Sequence, residues 1–286
     1  MSEIVRVGVV GCGLVGSGVA EVCARAGLDV TVVVRSDASA EAGRRRLLDS
    51  LDRGVRRGKL TSEQQHAAAS RVHLATDIAA LADKQLVFEA VAEQVSVKRD
   101  VFAKLDEIIL DPTAVLASTT SSIPIGRLAQ ATTQPGRVVG IHFFTPVPAV
   151  PLVELVATEF SGEQTCSQAE SFVVETLDKR AIWSPDRVGF IVNMLLLPYV
   201  LAAIRMVEAE IATPEVIDQG MVDACSHPIG PLKLADLIGL DIVAAVARAL
   251  YEEFKEPLYA PPPLLSRMLE ENVLGRKTGK GFYQYT

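Results

Sequence analysis

Six residues near the N-terminus constrain this chain more than any others: Gly11-Cys12-Gly13-Leu14-Val15-Gly16. They follow an apolar, β-branched run at 5–10 and open a helical stretch at 17–26. The first glycine permits a tight turn, and the second lets the backbone approach a pyrophosphate. The third lets the helix pack closely on the strand. The amides of the new helix then face the anion. Such a string is weak by itself, and a glycine-rich turn without a ligand is the competing reading. Here the strand–turn–helix setting is present, and a second strand-like run, 29–34, ends about twenty residues on, as the motif requires.

The pattern continues in the same sense. Runs at 86–90, 114–118 and 137–141 read as strands apolar enough to be buried on both faces. Helical periods at 40–57 and 96–110 separate them. Alternating strands and helices imply right-handed crossovers and a parallel sheet. After Ser184-Pro185-Asp186 the strand signals stop, and helices punctuated by prolines follow. The expected architecture is an α/β Rossmann-like N-terminal domain (1–186) with a parallel-sheet core, then an all-α C-terminal domain (187–286).

The end of the second strand selects the cofactor. An NAD site usually places Asp or Glu there to bind the ribose 2′-hydroxyl. This chain has Val34, followed by Arg35, Ser36 and Asp37. A guanidinium and a hydroxyl suit a 2′-phosphate, which a carboxylate would repel. NADP is the preferred expectation, with NAD the alternative if Asp37 serves the ribose from a shifted register. Downstream, Arg44, Arg45, Arg46, Arg53, Arg56, Arg57 and Lys59 make a locally basic helix. It suits either an anionic, phosphorylated ligand or a solvated face.

Composition removes other classes. Lys plus Arg number 28 against 35 Asp plus Glu, a formal charge of −7, which disfavours a nucleic-acid partner. The most apolar segment, 190–204, is short of the ~20 residues that span a bilayer, so a buried helix is expected and no membrane partner. No targeting segment is visible, and the expected location is cytoplasmic. Cys12, Cys23, Cys166 and Cys225 are scattered, read as buried thiols, and suggest no metal site.

Of four histidines, His66, His73, His142 and His227, the first two have no chemical company in the sequence. His142 closes an apolar run, at the strand end where open α/β sheets place ligands. Glu154 follows within Pro151-Leu152-Val153-Glu154-Leu155-Val156, a charge among apolar residues. A buried carboxylate needs a partner, and a catalytic histidine often has an orienting acid. A purely structural pair remains the other reading.

At this point the chain resembles the short-chain L-3-hydroxyacyl-CoA dehydrogenases, the 3-hydroxybutyryl-CoA enzymes in particular. The resemblance is almost end to end. It is carried by GVVGCGLVGSGVAEV, VFEAVAEQVSVKRDVF, STTSSIPI, GIHFFTPVPAVPLVELV, GFIVNMLLLPY, SHPIGPLKLADLIGLD and GRKTGKGFYQY. It implies hydride exchange between a nicotinamide cofactor and a 3-hydroxyacyl thioester, and a homodimer formed by the helical domain. It implies His142 as general acid/base, Glu154 as its orienting acid, and Ser121 and Asn193 as hydrogen-bond partners of the substrate oxygen. It places Glu93, Lys98, Thr145 and Lys277 beside the cofactor, with the glycine loop, Arg35 and Ser36. Ser50 and Arg57 would meet the phosphates of CoA.

Three departures from the family pattern stand out. The acid at Val34 is missing, an asparagine is replaced by Thr145, and SNTSS has become Ser118-Thr119-Thr120-Ser121-Ser122. Both threonines keep a hydroxyl and lose an amide. Two alternatives accompany the leading expectation. One is the same chemistry on an acyl-carrier-protein-bound group. The other is a non-catalytic, cofactor-binding structural or sensor protein, against which the retention of His142 and Glu154 argues.

Overall fold

The computed structural model describes residues 4–285, which form two compact units, one ending at Arg187 and the other beginning at Val188. The first is an α/β unit. Its opening elements are β1 (Arg6–Val10), α1 (Leu14–Arg25), β2 (Asp29–Val33), α2 (Asp37–Arg56), α3 (Ser62–Ser70) and β3 (Val72–Ala75). Next come β4 (Leu86–Glu89), α4 (Val95–Ile108), β5 (Val115–Ser118), α5 (Ile125–Ala129) and β6 (Val138–Phe143). The unit closes with β7 (Leu152–Val156), α6 (Glu163–Ser171) and β8 (Arg180–Ser184).

The eight strands make one sheet in the order β3-β2-β1-β4-β5-β6-β7-β8. From β3 to β6 every pairing is parallel; β7 runs antiparallel to β6, and β8 parallel to β7. The parallel core matches the strand–helix alternation in the sequence. The two reversed strands are a tertiary addition. Residues of β1, β4, β5 and β6 are almost all buried, the continuous apolar signature of a sheet covered on both faces. The edge strand β8 is mostly part-exposed, which is why it carries no apolar run to read.

The second unit is helical: α7 (Val192–Glu208), α8 (Pro214–Cys225), α9 (Pro231–Ile238), α10 (Leu240–Phe254) and α11 (Pro263–Glu270). Its core gathers Leu197, Leu201, Ile204, Leu232, Val243, Leu250 and Leu265. Helix α7 corrects the sequence expectation of a buried helix. One face is buried, but Leu195 is 72% exposed and Met206 38%. An apolar composition does not by itself say how many faces have neighbours. The cysteines need a similar correction: Cys12 and Cys23 are buried, Cys166 is half-buried and Cys225 is exposed. Two buried aspartates staple the C-terminal segment. Asp236 accepts from the Phe282 and Tyr283 amides and the Tyr285 hydroxyl, and Asp218 from the Tyr283 hydroxyl. No helix of the described residues is long and apolar enough to cross a membrane.

Candidate active site

The glycine loop has the geometry its sequence requires, for two separable reasons. Gly11 has φ +98°, and a side chain there would also strike the Ala90 carbonyl; at Gly16 a Cβ would lie 2.1 Å from the Gly11 carbonyl oxygen. Those two glycines are demanded by packing. Gly13 is not, because a Cβ there meets no protein atom within 4 Å. The space over Gly13 is what a ligand's approach needs. Helix α1 begins here with no side-chain cap and no acid in its first turn, so its first amides remain for an anion. The loop opens onto a cleft of about 860 Å³ lined by Val34, Arg35, Ser39, Arg46, Ile78, Val97 and Val101 among others. That size and mixed lining suit a dinucleotide's adenosine half.

At the end of β2, Val34 is buried and its amide is bonded to the Ala75 carbonyl at 2.9 Å. Arg35 lines the cleft. Ser36 also caps α2: its hydroxyl oxygen accepts from the Ser39 amide at 3.3 Å and lies 3.1 Å from the Ser39 hydroxyl. Asp37 belongs to the first turn of α2. Arg46, about one helical turn beyond Ala42, donates from Nη1 to the Cys12 carbonyl at 2.8 Å. Burial pushes the Cys12 thiol up, with the Arg46 charge opposing it.

His142 and Glu154 are direct cross-strand partners in the antiparallel β6–β7 register, so twelve residues of separation become one contact. Nδ1 of His142 lies 2.8 Å from Glu154 Oε2; the histidine is 3% exposed and the glutamate 0%. Donation of Nδ1–H to the carboxylate fixes the tautomer in which Nε2 carries the lone pair. The Phe144 ring stands edge-on to the imidazole at 4.7 Å. Behind this segment the buried Lys179 donates to the Val147 and Val150 carbonyls at 2.8 and 2.7 Å, tying down the chain between His142 and Glu154.

The Ser121 loop is organised by carboxylates. Glu93 accepts from the Ser121 and Ser122 amides at 3.2 Å each, from the Ser122 hydroxyl at 2.8 Å and from the Thr120 hydroxyl. The Ser121 hydroxyl has no partner of its own among the described residues. Burial raises the Glu93 pKa, but the Lys98 ammonium and the Thr120 and Ser122 hydroxyls outweigh it and hold the carboxyl below its ordinary range.

Lys98 does not face the cleft: it is 1% exposed, 2.7 Å from Glu89 and 3.2 Å from Glu93. It supports the Ser121 loop through Glu93. Glu89, which the sequence reading passed over, is 0% exposed and also accepts from the Ser118 hydroxyl at 2.7 Å and the Val91 amide at 2.8 Å. Its strand-like context, Val87-Phe88-Glu89-Ala90, was the available signal: a lone charge in a buried run. Thr119 spends its hydroxyl on the Glu89 carbonyl at 3.1 Å, so that departure from the family pattern is internal to the fold.

Family models match both units, a 3-hydroxyacyl-CoA dehydrogenase NAD binding domain over residues 6–187 and the C-terminal domain of the same enzymes over 189–285. The chain belongs to the 3-hydroxyacyl-CoA dehydrogenase family. Within that family it is 53% identical over 286 residues to a 3-hydroxybutyryl-CoA dehydrogenase of Mycobacterium tuberculosis, covering 100% of both chains. The fold superposes on the crystal structure of M. tuberculosis FadB2 with a TM-score of 0.97, at 52% identity and full coverage of both chains. On (S)-3-hydroxybutyryl-CoA dehydrogenase PaaH1 of Ralstonia eutropha the TM-score is 0.89, at 39% identity, covering 99% of this chain and 100% of that one.

The remaining residues that the family resemblance singled out fall as follows. Ser50 is half-buried on α2, and Arg57, exposed, caps the same helix at its C-terminus. Seven residues apart, they share one side of it. Thr145 is half-buried three residues after His142. Asn193 sits in the first turn of α7 and Lys277 is ion-paired with Asp241, both in the helical unit.

Proposed function

We propose that this chain is a 3-hydroxybutyryl-CoA dehydrogenase, interconverting 3-hydroxybutyryl-CoA and acetoacetyl-CoA with NADP preferred over NAD. The observation that carries the proposal is the buried His142–Glu154 pair. A sensor that only bound a cofactor would gain nothing from an ionisable pair sealed in its sheet, where burial of a charge must be offset.

The cofactor, when bound, takes up or supplies the hydride at C3. Nε2 of His142 accepts the 3-hydroxyl proton in the oxidising direction and returns it to the ketone oxygen in the reducing direction. Glu154 keeps the ring in the working tautomer and stabilises the imidazolium that forms. The Ser121 hydroxyl hydrogen-bonds the same substrate oxygen, held in place by the bonds from its loop to Glu93. The α1 amides take the pyrophosphate, and Arg35 takes the 2′-phosphate in place of the carboxylate missing at Val34. Thr145 serves the nicotinamide end.

Ser50 and Arg57 hold the phosphates of CoA on the basic side of α2. A carrier-protein thioester would use the same basic surface, so the two carriers are compared directly in assay. The exposed Leu195 and Met206 of α7, with Ile211 at 68%, support a homodimer through the helical unit. Free cysteines fit a reducing compartment, the cytoplasm.

Initial rates on acetoacetyl-CoA with NADPH and with NADH test the reading. NADPH should be at least about tenfold more efficient, the contribution of one charge-assisted hydrogen bond. His142→Gln should lower turnover by roughly 10²–10⁴-fold with cofactor affinity kept. Equal or better efficiency with NADH restores ordinary NAD use, and near wild-type turnover of the variant removes His142 from the chemistry.

A further inference from the structure

We propose that Arg46 is a specificity-determining residue of the dinucleotide cleft, forming with Arg35 a two-guanidinium clamp for the 2′-phosphate of NADP. The inference rests on the NADP reading above and deepens it. It begins from a shortage of donors at the end of β2. Val34 offers no polar side chain, and its amide is already bonded to Ala75. Ser36, the expected second donor, has a single hydroxyl proton to give, from a group whose oxygen already caps α2 by accepting the Ser39 amide.

The wall next to that gap is the face of α2 carrying Ser39, Ala42 and Arg46, spaced three and four residues apart and so on one side of the helix. From this face the Arg46 side chain bonds the Cys12 carbonyl through Nη1 at 2.8 Å. Helix and loop can approach this closely because position 43 is glycine: a Cβ there would lie 2.4 Å from the Cys12 sulfur. One bond uses one of the five donors of a guanidinium. The other four, the second on Nη1 and those on Nη2 and Nε, make no hydrogen bond within the described residues.

The guanidinium is therefore fixed on the α2 side of the glycine loop before any ligand arrives, which lowers the ordering cost of binding. Neither Arg46 nor Arg35 pairs with a carboxylate among the described residues, although the chain carries a net charge of −7. Two guanidiniums without an ion-pair partner, in a cleft that Asp77 and Lys104 also line, match a phosphate dianion and exceed what a ribose hydroxyl needs.

Calorimetric titration of the full chain with 2′,5′-ADP and with 5′-AMP, ligands that differ by the 2′-phosphate alone, tests this without turnover. The wild type should prefer 2′,5′-ADP by at least about tenfold. Arg46→Met should lose about tenfold or more in affinity for 2′,5′-ADP while its 5′-AMP affinity stays within about twofold, which also reports that the variant is folded. A wild type that does not discriminate overturns the NADP reading and this inference with it. Discrimination that survives Arg46→Met unchanged overturns the role of Arg46 and leaves the NADP reading standing. Equal weakening of both ligands makes Arg46 an anchor of the loop and overturns the clamp.

Discussion

Replacing Glu154 by glutamine isolates the charge of the orienting acid from its shape. The amide is isosteric and can turn its oxygen toward Nδ1 of His142, so the tautomer and the ring position are kept. What is lost is the negative charge now 2.8 Å from Nδ1 in a fully buried site. A charge-assisted hydrogen bond contributes about 1.5–3 kcal/mol, against about 1 for a neutral one. Coulomb attraction between the imidazolium and the carboxylate at ~4 Å and an effective dielectric of ~20 is about 4 kcal/mol before desolvation is subtracted.

A net loss of about 2–3 kcal/mol is the resulting expectation, or roughly 30- to 160-fold in rate. The loss applies to the state in which the imidazole has taken the proton, so it belongs in kcat and not in KM. Steady-state kinetics in the oxidising direction, with 3-hydroxybutyryl-CoA and saturating NADP, beside a nucleotide titration, gives both quantities. A kcat within about threefold of wild type would refute the reasoning, since the buried charge would then be doing nothing for the transition state.

Two further outcomes concern the carboxylate cluster under the Ser121 loop. Lys98→Met leaves Glu89 buried without its cation and should cost about 3–5 kcal/mol, seen as a lower urea midpoint, whereas an unchanged midpoint would mean the pair is energetically idle. Glu93 has its folded-state pKa below the unfolded value. The order it gives the loop should thus be complete above the ordinary carboxylate range, about 4.3, and be lost as the pH falls through the lower folded value. Protection factors of the Ser121 and Ser122 amides check this, and loss of protection already at about pH 5.5 would contradict it.

How much of this was legible in the sequence depends on the range of the forces involved. The glycine loop, the strand–helix alternation and the change to helices after Ser184 are local matters of steric permission and apolar periodicity. They can be read from neighbours in the chain. His142 and Glu154 were visible as isolated polar residues in apolar runs, but their contact was not. It depends on β7 turning back antiparallel beside β6, in a register only the assembled sheet decides.

The same holds for Glu89, Lys98 and Glu93, which meet because β4, α4 and the loop after β5 converge at one end of the sheet. Ser36 shows the converse: only the start of α2 one residue later made its hydroxyl oxygen a helix cap, a role that still leaves its proton for a donor bond. The sequence by itself determined the backbone programme and the chemical inventory, because torsional limits and burial act residue by residue. Only the tertiary structure decided which charges neutralise one another and which hydroxyls remain for a ligand, because those pairings join residues as much as 65 positions apart, as Asp218 and Tyr283 are.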